Sequence, residues 1–123
     1  MITGFVTTNR EAVIRLLVRA DNNREETIEA VIDTGFNGFL TLPMSLISSL
    51  ALSFAGTTRT TLGDCSEVRI DVFEATVLWE NQERHVTVLA TQGDALVGMA
   101  MLFGYRMTLE VEDGGAVVIE ALS

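Results

Sequence analysis

Fifteen residues, Glu29-Ala-Val-Ile-Asp-Thr-Gly-Phe-Asn-Gly-Phe-Leu-Thr-Leu-Pro43, restrict the fold of this chain more than any others. Ala30-Val31-Ile32 is apolar on both faces, as expected of a strand running into the interior. It ends on a carboxylate, Asp33. Thr34 and Gly35 follow at once, and a second apolar segment, Phe39 to Leu42, lies beyond. A buried strand that delivers an acid needs a partner for the acid or a task for it. The plainer task is a turn acid whose side chain caps the Thr34–Gly35 loop.

The rest of the chain reads as short strands at hairpin spacing. Ile14, Leu16 and Val18 alternate on one face, Asp21-Asn22-Asn23 is a turn signal, and Thr27 to Ile32 returns as the second arm. Pro43 suits the first turn of a helix, and Leu46, Ile47 and Leu50 give that helix an apolar face. Leu52 to Gly63 is rich in Thr, Gly and Ser with little core material, and Leu62-Gly63-Asp64 reads as a loop or hairpin tip. Val68 to Trp79 is the longest β-like run, Glu80 to Glu83 turns it, and Val86 to Leu89 comes back. After a turn at Gln92-Gly93-Asp94 come Ala95 to Gly98 and a short helix, Met99 to Phe103, ended by Gly104. Met107 to Val111 and Ala116 to Ile119 form the last hairpin around Glu112 to Gly115. The expectation is one mostly β domain spanning residues 1–123, a sandwich or barrel with two short helices.

Charge and composition narrow the function. Seventeen acidic residues against eight basic ones give a net charge of −9. A phosphate backbone would be repelled, so nucleic acid is not an expected partner. No apolar run approaches the ~18–20 residues that span a bilayer, and no secretory signal pattern opens the chain. With a single cysteine, Cys65, no internal disulfide can form. The reading is a soluble, cytoplasmic protein that does not engage membranes.

Most familiar catalytic constellations are missing. His85 is the one histidine, without the further ligands a zinc site requires or the nucleophile and orienter a triad requires. Nothing near Cys65 in sequence would activate it as a nucleophile. Gly35-Phe-Asn-Gly38 matches neither the dinucleotide nor the P-loop spacing. Asp33 remains. Two carboxylates about 3 Å apart cannot both ionise, so they share a proton and divide the roles of base and acid. Such a pair activates water for attack on a peptide carbonyl without metal, cofactor or covalent intermediate.

Asp33-Thr-Gly-Phe-Asn-Gly-Phe-Leu-Thr-Leu-Pro43, placed after an apolar strand and before a short helix, resembles the retropepsin-like aspartic proteases. These include the retroviral proteases and the small predicted aspartyl proteases of bacteria, the bacterial group being the nearer likeness. Leu96-Val97-Gly98 before Met99 to Phe103 looks like a second element of the family. Phe36 departs from the Ala usual in the retroviral enzymes. The resemblance implies a closed β-barrel with one catalytic stretch per chain and aspartic endopeptidase activity without a cofactor. It makes Asp33, Thr34 and Gly35 the catalytic loop. Phe36, Leu62, Gly63, Leu96, Val97 and Gly98 become substrate-side residues, and Thr57 to Cys65 the flap.

The chain holds one Asp-Thr-Gly, while the dyad needs two acids. Asp64, Asp94 and Asp113 lack the residues that would make a second loop. The second Asp33 is therefore expected from another copy, in a C2 homodimer with the site on its two-fold axis and a peptide or protein as substrate. The resemblance further suggests that Ile2–Val6 and Val117–Ile119 pair at the interface. A non-catalytic peptide-binding module on the same fold would keep the groove and hold an extended segment by β-augmentation. The distance between the two Asp33 carboxylates separates these readings.

Overall fold

The computed structural model describes residues 1–61 and 63–123. Ten strands and two short helices follow one another as β1 (Ile2–Val6), β2 (Ala12–Arg19), β3 (Glu25–Ile32), β4 (Leu40–Pro43), α1 (Met44–Leu50), β5 (Ser53–Thr61), β6 (Glu67–Trp79), β7 (Gln82–Thr91), β8 (Leu96–Val97), α2 (Met99–Leu102), β9 (Tyr105–Leu109) and β10 (Ala116–Ala121). One sheet takes all ten strands in the order β5-β6-β7-β4-β8-β3-β2-β1-β10-β9. An extra pairing of β2 with β6, from Leu17↔Leu78 to Arg19↔Thr76, closes six of them into a ring. The architecture is mostly β, a closed ring of strands with two short helices. β5 hangs outside the ring on β6, and β1, β10 and β9 continue outward from β2.

Alternation builds the inner wall. Ile14, Leu16 and Val18 of β2 are buried while Arg15 is exposed between them. Phe73, Ala75, Val77 and Trp79 of β6 do the same against Glu74 and Leu78. Such period-2 burial fixes register, because a one-residue slip would turn every apolar side chain to solvent. Glu80 and Asn81, with φ of 51° and 64°, form a two-residue turn joining Trp79 to its partner Gln82. Positive φ at both positions gives the primed turn whose twist suits a hairpin. The turn is tighter than the expected Glu80–Glu83, and Gln82 and Glu83 already belong to β7.

Pro43 caps α1 from outside the first turn, with extended backbone at φ −65° and ψ 146°. Ile47 and Leu50 carry the helix onto the core, and Ala51, left-handed at φ 53°, ends it. Leu52 to Gly63, expected to hold little core material, contains the nine-residue strand β5. β5 pairs with β6 from Ser53↔Glu74 to Thr61↔Glu67, with a register shift between Phe54 and Gly56. A single-sequence reading misses such a strand because it buries almost nothing: every residue from Thr57 to Thr61 is exposed. Its ladder comes from the length of β6, not from its own apolar pattern.

The chain ends also differ in their pairing. β1 and β10 pair with each other inside one chain, Ile2↔Ile119 to Phe5↔Ala116. β10 is flanked on its other side by β9, and Gly4 to Val6 of β1 by β2. Among the described residues, no helix is long and apolar enough to cross a membrane.

Candidate active site

β8 is two residues long and lies between β3 and β4, parallel to the first and antiparallel to the second. β3 and β4 are consecutive, so the connection 33–39 has to pass around the end of β8. Both ends of that connection are tied to it. Asp33 N–H donates to the Val97 carbonyl at 2.9 Å, and Gly98 N–H donates to the Phe39 carbonyl at 3.1 Å. The acid at the end of β3 is held by a strand far away in sequence.

Within the loop, Gly35 N–H donates to Asp33 Oδ1 at 2.9 Å, and Phe36 N–H donates to the Asp33 carbonyl at 3.1 Å. Asp33 is half-buried, whereas Thr34 and Gly35 are exposed. Among the described residues, no cation pairs with the Asp33 carboxylate, and its one side-chain hydrogen bond is the one from Gly35. The plain capping role is thus present, and it uses only one carboxylate oxygen.

The loop rests on α2. Met99 N–H donates to the Phe36 carbonyl at 2.8 Å and Ala100 N–H to the Gly38 carbonyl at 3.1 Å. These are first-turn amides with no acceptor inside the helix, so the loop supplies their partners. Gly98 permits this approach. A Cβ there would stand 2.2 Å from the Gly38 carbonyl oxygen and 2.5 Å from Phe36 Cδ2. The Phe36 ring folds back over Gly38 and Gly98 and is half-buried.

Of the residues expected on the substrate side, Leu96 is half-buried, and Val97 and Gly98 are buried behind the loop. Val97 acts here through its carbonyl. Gly63 is exposed in the β5–β6 turn, and Leu62 lies outside the described residues. In that turn Asp64 accepts bonds from the Ser66 hydroxyl and amide, which hold its carboxyl below the usual range. Cys65 is exposed, and so is His85, whose Nδ1 meets Thr76 Oγ1 at 2.8 Å.

Two positioning residues escaped sequence reasoning. Thr41, buried in β4, accepts from Leu96 N–H at 2.9 Å and donates to the Asp94 carbonyl at 3.2 Å. It fastens the start of β8. Arg84 donates to the Met101 carbonyl at 3.0 Å at the end of α2, with its guanidinium 5.8 Å from the centre of the Phe39 ring. A Thr inside an apolar strand was the available sign of the first. Nothing in the sequence marks the second.

No protein-family model matches the chain, and no curated protein matches it in sequence. Solved structures do. A retropepsin-like aspartic protease from Rickettsia conorii aligns with a TM-score of 0.63 at 14% identity, over 99% of this chain and 91% of its own. The EIAV protease, solved as an inhibitor complex, aligns with a TM-score of 0.56 at 14% identity, over 77% of this chain and 88% of its own. The likeness runs over most of each chain and is one of architecture: the chain has the retropepsin-like fold.

Proposed function

We propose that the chain is an aspartic endopeptidase that works as a homodimer, with Asp33 of each subunit facing the other across the two-fold axis. The observation that carries this is the state of Asp33 itself. Its backbone is fixed by β8, one carboxylate oxygen takes the Gly35 amide, and the other has no partner among the described residues. The fold neighbours, both proteases by name, support the same reading.

In the dimer the two carboxylates share one proton. The ionised one takes a proton from a water held between them, and the water oxygen bonds to the peptide carbonyl carbon. The protonated one gives its proton to the carbonyl oxygen, yielding a gem-diol. Collapse of that intermediate breaks the C–N bond, and the amine leaves with a proton returned from the dyad. Thr34, exposed beside the acid, braces the two loops against each other. Gly35 keeps Asp33 Oδ1 in place through its amide. Leu96, Val97 and Gly98 back the loop, Phe36 walls the site, and the β5–β6 hairpin with Gly63 at its turn covers an extended peptide.

Asp33→Asn tests this directly. The amide side chain keeps an oxygen for Gly35 N–H, so the fold and the dimer should persist. Cleavage of unfolded fluorescein-labelled casein, scanned from about pH 3 to 8, should fall by about 100-fold or more. Undiminished cleavage by a folded Asp33→Asn protein would rule the mechanism out.

A further inference from the structure

β8 covers little of its neighbour. β3 runs for eight residues, Glu25–Ile32, and only Val31 and Ile32 pair with β8. The phase of β3 follows from two bonds. Ala20 N–H donates to the Arg24 carbonyl at 2.8 Å, and Val31 N–H donates to the Ala95 carbonyl at 2.9 Å. In an antiparallel ladder, bonded and non-bonded pairs alternate. Glu26, Ile28 and Ala30 therefore bond to Val18, Leu16 and Ile14 of β2, while Thr27 and Glu29 turn their N–H and C=O groups to the other side. Among the described residues, no backbone donor or acceptor meets them there. Thr41 explains the gap. By holding Leu96 N–H and the Asp94 carbonyl, it draws the chain toward β4 at the point where β8 would otherwise continue along β3.

The gap is a groove of about 470 Å³. Ile28, Leu46 and Ala95 give it apolar walls, Glu26, Glu29 and Asp94 give it its charge, and no arginine lines it. Among the described residues, Glu26 and Asp94 pair with no cation. Glu29 has only a contact with Arg15 at 4.0 Å, between two exposed side chains, and such pairs are weak. With a rise of about 3.3 Å per residue, Glu29 stands roughly 13 Å from Asp33 along the strand.

We infer that this groove binds an extended basic segment of a partner protein, which pairs with the bare edge of β3 as an added strand. Glu25 to Glu29 offers about 13 Å of edge, room for a strand of about five residues. Main-chain bonds to Thr27 and Glu29 supply affinity, and the side chains supply the choice of partner. Successive residues of an added strand face opposite ways. A segment alternating apolar and basic residues thus meets the apolar wall on one side and carboxylates on the other.

Charge selects the partner. Acids on an open edge deter pairing between copies, and a chain of net charge −9 repels its own kind here. The same acids, set over a groove with apolar walls, favour a strand of opposite sign. This binding needs neither the Asp33 dyad nor a dimer.

The test is amide-resolved hydrogen exchange by NMR with a capped hexapeptide alternating arginine and valine, and with its glutamate–valine counterpart. Asp33→Asn protein is run beside the wild type so that cleavage cannot consume the peptide. Thr27 and Glu29 amides should exchange freely in the free chain and become protected on adding the arginine peptide, with no change from the glutamate peptide. Glu26 and Ile28, bonded to β2, should stay protected throughout. Glu26→Gln with Glu29→Gln should weaken binding by about tenfold. Thr27→Pro removes an outward amide without touching the β2–β3 bonds, and should abolish the protection of Glu29 in a folded chain. Absence of binding overturns the site. So does binding that leaves Thr27 and Glu29 unprotected, or that the glutamate peptide matches, since either marks attraction to an acidic surface and nothing more. Protection of both amides in the free chain would show the edge already filled and overturn it equally. Should Thr27→Pro fail to fold, the exchange pattern of the wild type decides. A chain without proteolytic activity leaves each of these outcomes readable.

Discussion

Asp33 donates its backbone N–H to the carbonyl of Val97 at 2.9 Å, a bond between residues 64 positions apart in the chain. The carboxylate therefore points where β8 sends it. Because Val97 is wholly buried, that reference point is part of the core and shares its rigidity. A side chain mounted this way keeps its place even though the residues after it, Thr34 and Gly35, are exposed.

Gly98→Ala should damage the loop more than its size suggests. The new methyl would meet the Gly38 carbonyl oxygen at 2.2 Å and the Phe36 carbonyl oxygen at 2.7 Å, both backbone atoms that move only with the whole loop. Forced overpacking of this kind costs about 1–3 kcal/mol. Urea unfolding should show that loss, and cleavage should fall further than stability does, since the shifted atoms carry Asp33. A variant with wild-type stability and activity would show that the loop does not depend on this approach.

Thr41→Val keeps the shape of the side chain and removes its hydroxyl. Leu96 N–H and the Asp94 carbonyl then lose their partner at a buried position. Leaving buried polar groups unpaired costs about 1–3 kcal/mol. Thr41→Ser, which keeps the oxygen, should recover most of it. Equal urea midpoints for the Val and Ser variants would refute the role given to the hydroxyl.

The sequence disclosed the site better than the frame around it. Asp33 stood out because a charge ended an apolar strand, a local signal, whereas Gly98 was marked only by the resemblance of Leu96-Val97-Gly98 to an element of the family. β5 was illegible because Thr57 to Thr61 have no apolar alternation; the strand exists only through its ladder to β6, a relationship between segments. The last hairpin, β9 with β10, was legible from its turn, but the closing pair β2–β6 and the pairing of β10 with β1 are likewise tertiary facts with no local signature. Arg84 was hidden for the same reason, since its acceptor on Met101 is reached only after the ring has closed.

The β5–β6 hairpin should be the least protected part of the ladder. From Thr57↔Asp71 outward to Thr61↔Glu67, the paired residues are exposed on both strands, apart from half-buried Ile70. Few apolar contacts and solvent-facing backbone bonds mark segments that open at low free energy. Amides of Arg59 and Arg69 should therefore exchange faster than those of Val77 and Val88, which sit in the buried wall. Equal protection across these four would show that the hairpin is held by something other than its own ladder.

Acid should loosen the turn of that hairpin. The Asp64 carboxylate is held below the usual aspartate range first by the Ser66 hydroxyl and then by the Ser66 amide. A carboxyl whose folded pKa is depressed stabilises the turn while the pH is above its unfolded value. That contribution is lost as the pH falls through the depressed folded value. Ser66→Ala removes the larger cause, so Asp64 should titrate closer to an ordinary aspartate and the turn should open at a higher pH. Asp64 carboxyl shifts in an NMR titration, together with exchange of the Ser66 amide, report both events. If Asp64 titrates identically with and without the Ser66 hydroxyl, the turn is not controlled in this way. If it moves as expected, the cover proposed for the site opens on the acid side.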